Sequence, residues 1–321
     1  MRVLLAVLLL LPPSMLRLDG DLEEAIRLYE KGEFKKAADL LVQLSKSSPD
    51  EPKVKLWLGK TYIKTRQWDD AVREMEKATR IEPSNASYRL WLGRACGYLA
   101  DHTSRILFWR ALERGGRVIK EFEAASKLAP ENFDIQFDML DFYLQAPDEI
   151  GGGEDKAKAE AQKIAKLDPK KGFAARAMMY QKDKKLDLAR KELIQATVDY
   201  PDYPSGYLDL ADFLLEQKDF EGALKNSQRA LEMERSKRAK LITAAARIRL
   251  RTDLDKAESS LQELASGSLS DHDPSFEDIY YWMGECNLAK GNKVKAREAL
   301  EKALAFDPDY EPAKKSISKL R

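Results

Sequence analysis

The chain has 321 residues, with 55 Lys and Arg against 54 Asp and Glu, two His and two Cys; 44% of it is hydrophobic and 34% charged. A net charge of +1 lacks the basic excess that phosphate-backbone binding needs, which sets aside a generic nucleic-acid binder, and two histidines leave little material for acid-base or metal chemistry. The apolar content suffices for a folded core, although an array of repeats would not need the two central cores that this length otherwise suggests.

In chain order, Met1 and Arg2 precede an unbroken apolar run from Val3 to Leu11, then Pro12-Pro13-Ser14. The run has the length of a signal-peptide core and is far too short to span a bilayer, so residues 1–17 read as an export signal on a protein with no integral membrane span. The alternative is that the stretch stays on as an irregular start to the first helix.

From residue 18 a period near 34 takes over. Leu58-Gly59, Tyr62, Ala71, Met75, Ala78 and Pro83 form one frame, with a Trp just ahead at Trp57; Met283-Gly284, Gly291, Ala296, Leu300, Ala303 and Pro308 repeat it near the C-terminus. One small position can be followed through Ala37, Ala71, Val118, Ala157, Ala189, Ala223, Ala257 and Ala296. The prolines Pro49, Pro83, Pro130, Pro169, Pro201 and Pro308 keep nearly the same step. Apolar residues at three- and four-residue spacing make each unit two amphipathic helices, and Gly59 and Ala71 are small where such helices cross closely. This predicts eight units, 18–51, 52–85, 86–132, 133–171, 172–203, 204–237, 238–276 and 277–310, followed by a capping helix over 311–321.

Two units depart from the frame. The third carries 13 extra residues within Ala100–Gly116, where Ile106, Leu107, Phe108, Trp109 and Leu112 recur at helical spacing. They predict a short extra helix or an extended second helix, with Gly115-Gly116 as a stop or bend. Phe108 and Trp109 are either an exposed docking patch or buried on a neighbour. The fourth unit carries an insertion within Ala146–Ala157 that holds three consecutive glycines, Gly151-Gly152-Gly153. Glu154 and Asp155 stand where an anion would go and no strand precedes the loop, so the glycines predict a turn with positive φ and not a phosphate cradle. Asp271-His272-Asp273 is the one cluster with metal-ligand chemistry, but Asp273-Pro274-Ser275 reads as a helix start. Asn85-Ala86-Ser87 likewise reads as a cap. Cys96 and Cys286 lie in distant units and are expected to be free thiols.

The recurring pattern resembles the tetratricopeptide repeat family over about residues 18–310. The resemblance implies an all-α, right-handed solenoid of helical hairpins whose first helices line a concave groove for a partner peptide or protein segment, with no cofactor and no catalysis. Carried onto this chain, it places Lys53, Leu56, Lys60, Ile63 and Lys64 of unit two in the groove, with Leu90, Arg94, Gly97 and Tyr98 of unit three. Further along come Asp134, Phe137, Asp138 and Asp141, then Leu208, Asp209, Asp212 and Glu216, then Lys240, Arg247 and Arg249. The expected order is basic, acidic, basic, which would set the register of a partner of complementary charge; the alternative is ordinary solvated helix faces. Leu22 and Ile26 occupy the positions that a two-carboxylate clamp would need, so no such clamp is expected. The other functional readings are a ligand- or lipid-binding solenoid, which would need an apolar, closed groove, and an accessory subunit of an envelope enzyme complex.

Overall fold

A computed structural model describes residues 13–102 and 108–320, with side chains from 18 to 102 and from 115 to 320. Every regular element among the described residues is helical. The helices are α1 (Pro13–Glu30), α2 (Phe34–Ser47), α3 (Pro52–Lys64), α4 (Trp68–Ile81), α5 (Ala86–Asp101), α6 (Phe108–Leu128), α7 (Phe133–Gln145), α8 (Glu154–Leu167), α9 (Pro169–Lys182), α10 (Leu186–Asp199), α11 (Pro204–Glu216), α12 (Phe220–Met233), α13 (Lys237–Leu250), α14 (Leu254–Ser266), α15 (Phe276–Ala289), α16 (Lys293–Phe306) and α17 (Glu311–Ser318). They follow the expected order of eight helix pairs and a final helix. α1 starts at Pro13, ahead of residue 18. The chain divides between Lys156 and Ala157 into two compact units.

Five of the eight pairs are joined by three-residue turns with a common conformation. Their middle residues, Gly32, Arg66, Lys184, Lys218 and Gly291, all have positive φ, between 59° and 81°. The next residue then donates its N–H back into the first helix, Gln67 to Tyr62, Lys185 to Tyr180 and Asn292 to Asn287, each at 2.8 Å. This left-handed ending satisfies carbonyls that the helix end would leave open. The opposite ends are capped as the sequence suggests. Asn85 accepts from the Ser87 amide at 3.0 Å, and Ser275 exchanges bonds with Asp278 at the start of α15.

The small repeat position sets the packing. In every pair except the third it is the fourth residue of the second helix, and all eight occurrences are buried. Facing it, the first helix comes so close that a Cβ on Gly59 would lie 2.7 Å from Met75, one on Gly93 2.5 Å from the Phe122 ring, and one on Gly284 2.6 Å from Leu300. Successive first helices also touch one another, α1 with α3, α3 with α5, α9 with α11, α11 with α13 and α13 with α15, so the first helices form the closer-packed layer of each compact unit. Cys96 and Cys286 are buried and form no disulfide.

In the third pair the extension resolves as a longer second helix, α6, of 21 residues. The expected stop at Gly115-Gly116 does not occur: the helix runs through both. Val118 is the eleventh residue of α6 where its counterparts are the fourth, so seven residues precede the usual start. Seven residues are two turns at 3.6 per turn, which leaves Val118 on the face its counterparts use.

The glycine contacts predict opposite outcomes for two substitutions in α5. Gly97 has nothing within 4 Å of its Cβ position, so Gly97→Ala should raise the unfolding midpoint, by about 0.5–1 kcal/mol of stability from reduced backbone entropy. Gly93→Ala meets the rigid Phe122 ring and should lower it, by roughly 1–3 kcal/mol of overpacking. Thermal and urea denaturation followed by circular dichroism check both.

Candidate partner-binding face

Within the first compact unit, the first helices place aromatic and charged side chains in one connected row. Tyr29 of α1 meets Trp57 of α3 edge to face, with ring centroids 5.3 Å apart. Lys60, one turn beyond Trp57, sets its ammonium 3.9 Å from the Trp57 ring and 4.4 Å from the Trp91 ring of α5. Arg94, one turn beyond Trp91, lies over the same indole at 4.8 Å. It also donates to the Asp138 carboxylate of α7, through Nε at 2.6 Å and Nη2 at 3.3 Å. Four first helices are thus linked by cation-aromatic contacts, worth about 0.5–2 kcal/mol each according to their desolvation, and by a two-point ion pair.

The second compact unit repeats the device with different partners. Arg238 of α13 donates to both Asp209 and Asp212 of α11, through Nη1 at 3.1 Å and Nε at 2.6 Å. Arg249, also on α13, reaches Glu285 and Tyr281 of α15 at 2.5 and 2.8 Å and lies over the Trp282 ring at 4.7 Å. Ser316 of α17 donates to Glu285 at 2.7 Å, and Tyr310, which precedes α17, donates to Asp278 at 2.5 Å, so the last helix closes the row.

Several residues expected in a groove are therefore engaged within the protein. Lys60 is buried; Arg94, Asp138 and Asp212 are ion-paired. Ile63, Leu90 and Leu208 are core residues instead of lining, because their helix positions point into the hairpins. Lys240 and Arg247 turn from the first-helix layer toward α12 and α14, sharing a depression with Gln228 and Ser260, and Lys240 bonds Glu263 at 2.6 Å. Lys53, Lys64 and Asp141 are exposed. Tyr98 keeps 43% of its surface exposed and stacks on Trp68 at 5.6 Å, apart from the Trp57-to-Asp138 row. The side chains of Phe108 and Trp109 lie outside the described residues.

Sequence reasoning missed the aromatic half of this row. A signal was present: Trp57-Leu58-Gly59-Lys60 and Trp91-Leu92-Gly93-Arg94 stand 34 residues apart, and Trp282-Met283-Gly284 matches them. Each of these three indoles carries a cation.

The other candidate chemistry is consumed locally. The amides of Gly151, Gly152 and Gly153 donate to Asp148, Pro147 and Tyr143 carbonyls at 3.0 Å, leaving none directed at an anion. Asp273 accepts from the amide and hydroxyl of Ser270 and from Lys237. Among the described residues, no three His, Cys, Asp or Glu side chains are grouped to hold a metal ion, and no helix is long and apolar enough to cross a membrane.

Burial pushes the Asp138 carboxyl above the ordinary aspartate range, and the Arg94 hydrogen bond and charge pull it back only in part. Asp209 and Asp212 are raised for the same reason, with Arg238 opposing. A carboxyl raised on folding weakens the fold when ionised and is relieved as pH falls through its native value. Because Arg94 lowers the Asp138 value, Arg94→Gln should move the Asp138 titration further up. Carboxyl carbon NMR of wild type and variant reads this directly.

Family models described as tetratricopeptide repeat match residues 16–94, 174–239 and 277–310, together more than half of the chain. Among solved structures, yeast Tom70 aligns with a TM-score of 0.57 at 18% identity, covering 90% of this chain and 58% of that one. A tetratricopeptide repeat protein from Parabacteroides merdae aligns with a TM-score of 0.47 at 13% identity, covering 94% and 98%. The chain thus spans less than two thirds of the Tom70 structure, and a likeness at this identity concerns the fold. No curated protein sequence matches significantly.

Proposed function

This chain belongs to the tetratricopeptide repeat family, and from that premise we propose that it is a non-catalytic interaction scaffold that holds a polypeptide segment of a partner against its first helices. The observation that carries the reading is the row from Tyr29 to Asp138. Trp57, Trp91 and Arg94 are only partly buried there, and tryptophan and arginine are the side chains on which interface energies concentrate. The charge among them, on Arg94, is already paired with Asp138, so a partner meets pre-positioned groups and loses little to reorganisation. Exposed Lys53 and Lys64 flank the row on α3 and favour an acidic segment. A lipid- or small-ligand-binding solenoid would want an apolar, enclosed lining, and this one is charged.

A photocrosslinking residue placed at Lys64 or Tyr98 should yield a discrete polypeptide adduct in cells, weakened several-fold by Lys53→Glu. The same residue at exposed Arg80, on a second helix, should not. Equal adducts from both faces would overturn the proposal.

We further propose that residues 1–17 are an export signal. Cell fractionation with N-terminal sequencing should then find the chain outside the cytoplasm and starting near residue 18. A cytoplasmic protein retaining Met1 would refute it.

A further inference from the structure

Within the second compact unit, α13 packs against both α12 and α14, and the three helices line a cleft of about 440 Å³ with Gln228, Leu231, Glu232, Lys240, Arg247 and Ser260. Two of these residues depart from the repeat. The carbonyl of Arg247 accepts the amide of the turn residue Thr252 at 3.0 Å, as Leu28, Tyr62, Tyr180, Leu214 and Asn287 accept one in five other hairpins. Among these six hairpins only this one puts a charge there. Ser260 stands three residues beyond Ala257, the small position of α14, where four other second helices have Glu74, Glu121, Glu160 and Glu192. In two of those hairpins the glutamate holds an arginine of its own first helix, Arg89 to Glu121 at 2.9 Å and Arg176 to Glu192 at 2.8 Å. The seventh hairpin keeps an arginine on its first helix and replaces the carboxylate by a hydroxyl. Among the described residues, the Arg247 guanidinium, the Gln228 carboxamide and the Ser260 hydroxyl make no hydrogen bond. The Arg247 side chain is only 16% exposed, and the Asp253 carboxylate, 3.9 Å away, is shared with Lys256 at 3.2 Å. The other charges lining the cleft are balanced more closely, Lys240 by Glu263 at 2.6 Å and Glu232 by Arg229 at 3.0 Å.

We infer that this cleft binds the carboxylate of a small organic acid, which takes the place that a glutamate fills in other hairpins. A guanidinium largely withdrawn from water and a carboxylate make a charge-assisted bond at two points. Ser260 and Gln228 supply neutral donors beside it. One unbalanced cation fits a single negative charge, and the carboxylates of Glu232 and Glu263 oppose a second one. Leu231 gives an apolar wall for a short hydrocarbon body, and the volume falls in the range of small-molecule sites. The site shares no residue with the row from Tyr29 to Asp138, so it stands or falls apart from the scaffold reading.

Propionate titrated into the full chain at constant ionic strength should shift the NMR signals of the Arg247 guanidinium and the Gln228 carboxamide saturably, with a dissociation constant on the order of millimolar. Sulfate should bind more weakly. Ser260→Glu restores the glutamate of the other hairpins, so it should move both signals in the direction propionate does and weaken propionate binding about tenfold or more. Arg247→Gln, uncharged like its counterparts, should abolish the Gln228 response while helicity holds. A blocked glutamyl tripeptide should bind no more tightly than propionate; clearly tighter binding would assign the carboxylate to a polypeptide and overturn the small acid. A shift that stays linear in propionate, or one undiminished by both substitutions, overturns the site, and sulfate binding equal to propionate overturns its preference for a carboxylate.

Discussion

The structure rests on how closely the first and second helices of a hairpin approach. Where Gly59, Gly93 and Gly284 stand, the neighbouring side chain occupies the space a Cβ would take. The small residue four places into the second helix lets the pair close from the other side. A closer crossing shortens the distance each side chain must cover to reach the next repeat. That is why residues as short as Asp209, Asp212 and Asp138 can meet an arginine on a neighbouring first helix. With larger residues at the crossing, the first helices would stand farther apart and these pairs would open to water, where such contacts contribute little.

Charge on the first helices therefore has two possible recipients, the partner and the protein's own next repeat. Read along the sequence, the alternation of basic and acidic residues suggests a complementary ligand. In the structure it is equally the order in which repeats are stitched, Arg94 to Asp138 and Arg238 to Asp209 and Asp212. The two uses are compatible because an internally paired arginine keeps its planar face and remaining donors available. Arg94 lies on Trp91 while it holds Asp138, and Arg249 lies on Trp282 while it holds Glu285. Under the function proposed above, recognition would depend less on net charge than on indole and guanidinium surfaces fixed in place before a partner arrives.

Most of the architecture was legible because a 34-residue period repeats its information. The position from Ala37 to Ala296 located every second helix, and the capping residues Asn85 and Ser275 located helix starts. What could not be read depended on contacts between residues far apart in sequence. That Lys60 is buried between two indoles follows from α3 and α5 lying side by side, and its residue type argues the other way. Ile63, Leu90 and Leu208 were placed in the groove by carrying over an idealised register, and a rotation of one position moves a residue from the lining into the core. The recurring W-[LM]-G was visible and would have pointed to the aromatic row, had tryptophan been weighed as a platform for cations as well as a packing residue.

Gly115-Gly116 shows the same limit and how the fold answers it. A glycine pair inside a helix lowers its propensity by about 1 kcal/mol per glycine, so a break was the reasonable local expectation. The helix persists because the glycine is used. The Asp148–Ile150 turn of the next repeat packs on it, with Ile150 Cδ1 2.6 Å from where a Gly115 Cβ would stand. One turn further along α6, a Cβ on Gly151, at φ 102°, would stand 3.2 Å from Ile119 Cγ2. The triglycine is fixed in its turn, since a Cβ on Gly152 would collide with the Ala146 carbonyl and Lys156 donates to the Gly151 carbonyl at 2.9 Å. The triglycine loop, some thirty residues further on in sequence, thus packs on α6 itself: the loop supplies Ile150, and glycines on both sides allow the approach.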